Sequence, residues 1–172
     1  ALRSGAGGRV VLWSDGSTRV RGTIGAAGGA EGGDGGFVET SGRQLDVAGA
    51  AVSAGAPRGA PGTWLLDPVD VVIDEPVAAS IGGALATTNV TVTTDVPPSA
   101  VDPGQPGDVT VAAGITRASG VGTTTLSLRA ARNIVVGEGA TISSIAGPLN
   151  VELIARKDAT NLESTPGTVH ML

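Results

Sequence analysis

Apolar residues that recur in pairs, one residue apart, most constrain what this chain can fold into. Alternation of this kind, broken by Gly, Asp, Asn and Pro, is typical of short β-strands joined by turns. Comparable pairs return after about 17–27 residues, as from Val20 to Val47 and from Leu128 to Leu153. Repeats of this size are typical of a β-solenoid, whereas a β-propeller blade needs roughly 40–50 residues.

The composition agrees with a solenoid. The chain of 172 residues contains 28 Gly, but only one Phe, two Trp and no Tyr. A core without aromatic bulk is thin, and a thin core suits the narrow interior of a solenoid. The Gly-rich tract at 28–36 is expected to form a corner, because glycine turns sharply without steric cost. We predict an all-β parallel β-helix of about seven or eight turns, here called rungs, with Gly-rich corners; an antiparallel β-sandwich is the alternative.

Three segments interrupt the strand pattern. Residues 96–107 contain four prolines, which cannot serve in a strand ladder, and they predict a Pro-rich loop that protrudes from the helix. Glu75–Gly83 is a second predicted loop. Leu149–Ala159 has a helix-like mixture of residues, although it also alternates. We expect residues 1–172 to form a single β-helical segment.

Charge and residue inventory exclude several functions. The net charge is −5, Cys is absent, and His170 is the single histidine. An acidic chain is unsuited to coating nucleic-acid phosphates, and without Cys there is no disulfide or thiolate metal site. One histidine cannot complete a His-based metal site or a Ser-His-Asp triad. No apolar run is long enough to span a membrane, and this segment shows no signal-peptide pattern. We predict no catalytic residue, no cofactor, no metal and no nucleic-acid partner.

Two acidic features call for interpretation. The tract GGAEGGDGG differs from the calcium-binding repeat G-G-x-G-x-D-x-U-x, because Asp34 directly follows a glycine pair and nothing repeats. Asp67, Asp70, Asp74 and Glu75 lie within nine residues. A glycosidase needs carboxylates at a defined separation, which this cluster does not establish. We therefore expect a glycine corner and a solvated acidic face.

The motif GTWLLDP makes a prediction about register. Trp64 and Leu66 share one face of a strand that ends at the turn dipeptide Asp67-Pro68. We expect this face to point into the core. Leu65 is then expected on the outer face.

Three motifs stand in order between residues 8 and 74. They are LWSDGST at Leu12–Thr18, GGDGGFVETSG at Gly32–Gly42 and GTWLLDPVDVVI at Gly62–Ile73. With these motifs, residues 8–74 resemble the filamentous-haemagglutinin-like large exoproteins of the two-partner secretion pathway. Residues 84–172 are more divergent and share only the short Val/Thr strands and Gly turns.

The resemblance implies a right-handed parallel β-helix that is a non-catalytic segment of a longer bacterial exoprotein, secreted or held at the cell surface. It implies adhesin-like attachment or service as a stalk. The expected partners are an outer-membrane barrel transporter during export and a glycan or protein of a host or bacterial surface; the segment is expected to be monomeric. The alternatives are a β-helical enzyme acting on surface polysaccharide and a passive stalk that carries a C-terminal toxin.

Four residues are candidates for contact or modification. Trp13 offers a flat ring on which a sugar could stack, and Arg129 and Arg132 could contribute to a basic stripe for sulfated glycans. Asn89 begins an N-x-[ST] sequence and is a candidate glycosylation site.

Overall fold

Parallel β-strands dominate the structure, a computed structural model that describes residues 3–94, 107–156 and 167–172. Those residues form 14 strands and one helix. The elements in chain order are β1 (Arg9–Arg19), β2 (Gly22–Gly25), β3 (Phe37–Asp46), β4 (Ala50–Ser53), β5 (Thr63–Pro68), β6 (Val71–Ile73), α1 (Glu75–Ala84), β7 (Asn89–Thr93), β8 (Val109–Val111), β9 (Ile115–Arg117), β10 (Thr124–Ala130), β11 (Ile134–Val136), β12 (Ile142–Ser144), β13 (Leu149–Ala155) and β14 (Val169–Met171).

The largest sheet shows how the chain coils. Six strands lie in the order β1-β3-β5-β7-β10-β13, and every neighbouring pair is parallel. Parallel neighbours require a crossover, so the chain must return to the same end of the sheet before each new strand. The result is a β-solenoid of about five turns. The predicted parallel solenoid is confirmed, and the antiparallel sandwich is wrong.

The predicted count of seven or eight rungs is also wrong, because the turns are longer than the apolar repeat suggested. Arg9 pairs with Phe37, a step of 28 residues, and Val90 pairs with Leu126, a step of 36 residues. Strands that look equivalent in the sequence lie on different faces of one turn. For example, β7 belongs to the six-stranded sheet and β8 to the next sheet.

Two further faces complete the solenoid. A parallel four-stranded sheet has the order β14-β11-β8-β6. On the third face β2 pairs with β4, and β9 pairs with β12. Helix α1 packs against both β4 and β9. The helix therefore stands where the third face would otherwise continue with a strand.

Helix α1 corrects the prediction of a loop at Glu75–Gly83. The carboxylate of Asp74 accepts a hydrogen bond from the Val77 amide at 3.1 Å and caps the helix. Glu75 lies in the first turn beside Pro76, where a missing N–H donor costs nothing. The buried side of the helix consists of Val77, Ala78, Ser80, Ile81, Gly82 and Ala84.

The other two interrupting segments have different outcomes. Leu149–Ala155 forms strand β13, which pairs in register with β10 along its whole length, so its alternation prevails over its helix-like composition. The Pro-rich loop predicted at 96–107 lies outside the described residues, apart from Gly107. Within the described ranges, no helix combines the length and apolar character needed to cross a membrane.

The core is a narrow column of side chains stacked from rung to rung. Val38, Trp64, Val90 and Leu126 occupy successive positions of one inward column and are all fully buried. Trp64 Nε1 donates a hydrogen bond to Thr40 Oγ1 at 3.1 Å, which satisfies the indole inside this apolar column. The core therefore holds a single large ring among aliphatic neighbours.

The register predicted for strand β5 is confirmed. Leu66 is only 1% exposed and lies between Thr40 and Val92 of the adjacent strands. Leu65, on the opposite face, is half-buried. The side-chain period of two residues therefore places Leu66 in the core, as the sequence indicates.

A stack of glycines forms the corner that leads into the six-stranded sheet. Gly8, Gly36 and Gly62 each precede one of the strands β1, β3 and β5. A Cβ atom on Gly36 would lie 2.1 Å from the Gly8 carbonyl oxygen, and one on Gly62 would lie 2.1 Å from that of Gly36. Successive turns therefore approach so closely here that a side chain has no room.

Candidate binding face

Trp13 and Val11 lie on the outward face of β1, the first strand of the six-stranded sheet. Trp13 is 63% exposed and Val11 is 48% exposed. The alternating residues Val10 and Leu12 pack against the core instead. The alternation of β1 therefore turns the indole of Trp13 toward solvent.

The three aromatic residues of the chain have three different environments. Trp64 is enclosed in the core. The Arg9 guanidinium lies over the ring of Phe37, 5.0 Å from its centroid, and also pairs with Glu39 at 3.2 Å. Trp13 is thus the aromatic ring most open to a ligand.

A β-bulge follows Trp13 along β1. Between Ser14 and Ser17, β1 carries one residue more than its partner β3. The extra length falls on Asp15-Gly16, a dipeptide typical of turns that here lies inside a strand. Bulges re-aim side chains at sheet edges and beside functional sites. Asp15, Gly16 and Ser17 are all exposed.

A hollow lies beyond the bulge, where β1 and β3 end. Its volume is about 400 Å³, which is within the range of small-ligand sites. Ser17 Oγ donates to Gln44 Oε1 at 3.0 Å, and this pair joins the two strands across the hollow. The lining residues are Ser17, Thr18, Arg19, Gln44, Leu45 and Asp46.

Asp46 forms the ion pairs at the end of the hollow. Its carboxylate pairs with Arg21 at 2.6 Å and with Arg19 at 3.3 Å, and it accepts a hydrogen bond from the Ala48 amide. The hydrogen bond from Arg21, followed by that from Ala48, lowers the pKa of Asp46 to about 2. The carboxylate therefore stays ionised near neutral pH and balances part of the surrounding positive charge.

The two predicted arginine contacts do not join Trp13. Arg129 lies on β10, four strands from β1 in the same sheet, which is roughly 19 Å at 4.8 Å per strand. Arg132 lies beyond the end of β10 and forms an ion pair with Asp108. The structure therefore separates these candidates into different parts of the surface, and their role in glycan binding remains a prediction.

The amide of Asn89 links neighbouring rungs. Its Nδ2 donates to the Pro61 carbonyl at 3.4 Å, and its Oδ1 accepts from the Thr125 amide at 2.9 Å. A glycan on Nδ2 would need space beside this contact. Glycosylation at Asn89 remains a prediction.

Polar side chains directly before the strands of the four-stranded sheet form a ladder. Asp70 Oδ1 accepts from the Asp108 amide at 2.7 Å, Asp108 Oδ1 from the Asn133 amide at 3.0 Å, and Asn133 Oδ1 from the Thr168 amide at 3.1 Å. Asp70, expected on a solvated face, is instead an acceptor that joins two rungs. Each of these side chains satisfies a main-chain donor of the rung that follows.

Asp108 of this ladder also pairs with a guanidinium, that of Arg132. The side-chain hydrogen bond from Arg132, assisted by the Asn133 amide, lowers the pKa of Asp108 below its usual value against an opposing effect of burial. The sequence did not single out Asp108. Its alignment with Asp70 spans 38 residues, longer than the apolar repeat.

Arg117 is a buried residue that sequence reasoning missed. Its side chain is fully buried, with Nη1 donating to the Pro148 carbonyl at 2.7 Å and Nη2 to the Gly122 carbonyl at 3.0 Å. Gly122 belongs to the corner that directly follows β9, and Pro148 belongs to the corner before β13, so the guanidinium fastens β9 to its own corner and to that of the next turn. The available signal was its position two residues after Ile115, on the inward face of the same strand.

Comparison with known proteins adds no family assignment. No protein-family model matches the chain, and no curated protein matches it either. Across the described ranges, no group of three or more His, Cys, Asp or Glu side chains is placed to hold a metal ion. The face around Trp13 therefore has to be interpreted from its own chemistry.

Proposed function

We propose that the chain is a non-catalytic, adhesin-like segment of a secreted or cell-surface bacterial exoprotein of the two-partner secretion class. The three motifs between residues 8 and 74 support this class, and a parallel solenoid is the architecture that the resemblance implies. We expect the coil to be right-handed, as nearly all parallel crossover connections are. An outer-membrane barrel transporter is its proposed partner during export.

The single observation that carries attachment over a passive stalk is the exposed ring of Trp13 on the outward face of the sheet. A stalk needs only rung-to-rung contacts, and an outward indole contributes nothing to them. Strand β1 carries Trp13 and Val11 on its outward face, and the hollow lined by Ser17, Arg19 and Asp46 lies farther along the same strand. Such a mixture of apolar and polar groups is typical of a recognition surface.

Three acids that hold the fold together favour a non-catalytic role. Asp70 and Asp108 are stacked on adjacent rungs, as an enzyme groove would require, but both hold main-chain amides of the next rung. Asp74 caps helix α1. A catalytic carboxylate must be able to exchange its hydrogen bonds with substrate, and these three are committed to the fold.

Adhesion of protein-coated beads tests the proposal. Beads carrying the chain are expected to attach to intact bacterial or cultured epithelial cells, and Trp13→Ala is expected to abolish attachment. Val72→Ala is the matched control, because Val72 is 60% exposed on a different face. Beads that attach to neither cell type would contradict an adhesive function. Release of reducing ends from a surface polysaccharide would contradict a non-catalytic one.

A further inference from the structure

We propose that Trp13 and the adjoining hollow bind a neutral oligosaccharide. This inference rests on the proposed adhesive function and names the class of ligand for the same face. It depends on three features: an open aromatic platform, a row of hydrogen-bonding groups on the same two strands, and arginines that already have a carboxylate partner.

The aromatic platform is the first feature. Trp13 is 63% exposed and lies beside Val11 on the outward face of β1, in the six-stranded sheet. An indole exposed to this degree loses the favourable burial that a core position would give. A sugar ring presents an apolar C–H face of matching flatness, so stacking would cover the indole while the hydroxyl groups remain free to bond.

Hydrogen-bonding groups form the second feature, and they continue from Trp13 along β1 and β3. Asp15 and Ser17 follow on β1, and Gln44 pairs with Ser17 across the hollow. Trp13 and Ser17 pair with Ser41 and Gln44, which are three residue steps apart on β3, or roughly 10 Å at 3.3 Å per residue. A site of that length fits a short chain of sugar units better than a single ring.

The ion pairs of Asp46 are the third feature and decide between neutral and acidic glycans. Arg19 and Arg21 lie at the end of the hollow, 3.3 Å and 2.6 Å from the carboxylate of Asp46. Both guanidiniums are engaged with Asp46. A sulfated or carboxylated glycan would have to displace that carboxylate, whereas neutral hydroxyl groups can use the same donors and acceptors without breaking an ion pair.

Affinity electrophoresis tests the inference with named probes. The chain is run through gels that contain soluble β-glucan, α-mannan, hydroxyethyl chitin or, as the anionic comparison, heparin. At least one neutral polysaccharide is expected to retard the protein at both low and high salt. Trp13→Ala is expected to weaken that retardation at least tenfold, Gln44→Ala several-fold, and Trp13→Phe less than Trp13→Ala. Val72→Ala is expected to have no effect, and circular dichroism checks that each variant is folded.

Several outcomes would overturn the inference. They are retardation by heparin alone, retardation that vanishes with salt, retardation unchanged in Trp13→Ala, and no retardation by any neutral probe. The bead assay separates this failure from failure of the proposed function. Beads whose attachment to cells survives an excess of the neutral polysaccharides but is lost after protease treatment of the cells would identify a protein receptor: adhesion would stand, and the glycan would be wrong.

Discussion

One methyl group is enough to test how closely successive turns approach at the glycine corner. We predict that Gly36→Ala destabilises the protein by roughly 1–3 kcal/mol, since the new Cβ would meet main-chain atoms rather than a movable side chain. Urea denaturation measures the loss. Gly8→Ala is the matched control, because Gly8 begins the same stack and a Cβ there meets nothing within 4 Å. Equal losses in both variants would show that sterics are not the cause.

The core register gives a second prediction at the residue scale. Leu66→Ala is expected to cost roughly 2–5 kcal/mol, because the stacked rungs above and below cannot easily collapse into the cavity. Leu65→Ala removes the same atoms from a half-buried outward position and is expected to cost distinctly less. Thermal or urea denaturation of the two variants measures the difference. A loss below ~0.5 kcal/mol for Leu66→Ala would contradict its place in the core.

Burial of Leu66 follows from alternation within one strand, so the sequence was sufficient for it. Residues 10–13 are all apolar, so alternation alone did not decide which face Trp13 occupies. The hollow beyond Trp13 could not be predicted from alternation. It depends on Ser17 meeting Gln44 across 27 residues, after a bulge that shifts the register of β1 against β3. Local alternation carries no information about such a pairing.

Helix α1 begins at a side-chain cap, the carboxylate of Asp74. We predict that Asp74→Ala costs roughly 0.5–2 kcal/mol, because the Val77 amide loses its acceptor at the start of the helix. Asp74→Asn is the matched control and should retain most of the stability, since its amide oxygen can still cap. Denaturant melts of the three proteins provide the measurement. A loss as large in Asp74→Asn as in Asp74→Ala would contradict capping as the source.

The sequence contained the signals for α1, but the strand pattern on either side obscured them. Asp74, Glu75 and Pro76 are typical of a helix start, and apolar residues follow at helical spacing. Gly82 favoured a loop instead. In the structure Gly82 is needed for packing, because a Cβ there would lie 2.5 Å from the Thr116 carbonyl of β9. The contact that requires a glycine here comes from a residue 34 positions later in the chain, so the residues around Gly82 do not predict it.

At the scale of the whole molecule, paired carboxylates make the solenoid sensitive to acid. Asp46 and Asp108 have pKa values lowered in the folded state by Arg21 and Arg132 respectively. Their stabilising effect is therefore complete above the unfolded pKa of about 4 and is lost as the pH falls through the folded values. We predict a midpoint of urea unfolding that is constant near neutral pH and decreases below about pH 4.

A pair of variants measures the share of this decrease that comes from Asp108. Asp108→Asn should be less stable at pH 7 and should show a shallower decrease in acid, because it cannot lose a charge that it no longer carries. Glu138→Gln, at an exposed turn residue, should reproduce the wild-type pH profile. A profile for Asp108→Asn as steep as that of the wild type would place the acid sensitivity elsewhere.

The architecture as a whole was more predictable than its dimensions. Short alternating strands, abundant glycine and few aromatic residues indicated a parallel solenoid, because few other folds can use such a thin core. The number of turns depended on which strands pair, and those steps vary between 25 and 36 residues in the first sheet. Residues inserted between two faces lengthen the turn, but they do not change the apolar alternation of the strands.

The polar ladder gives the molecule a direction of assembly. Asp70, Asp108 and Asn133 each offer an oxygen to an amide that comes later in the chain. A turn that has already formed therefore presents a template on which the next one can be laid down. If the chain emerges from its amino-terminal end, each acceptor is already in a folded turn when the amide that it binds appears. If the chain emerges from the other end, these amides appear before their acceptors and stay unpaired until the earlier turns have folded.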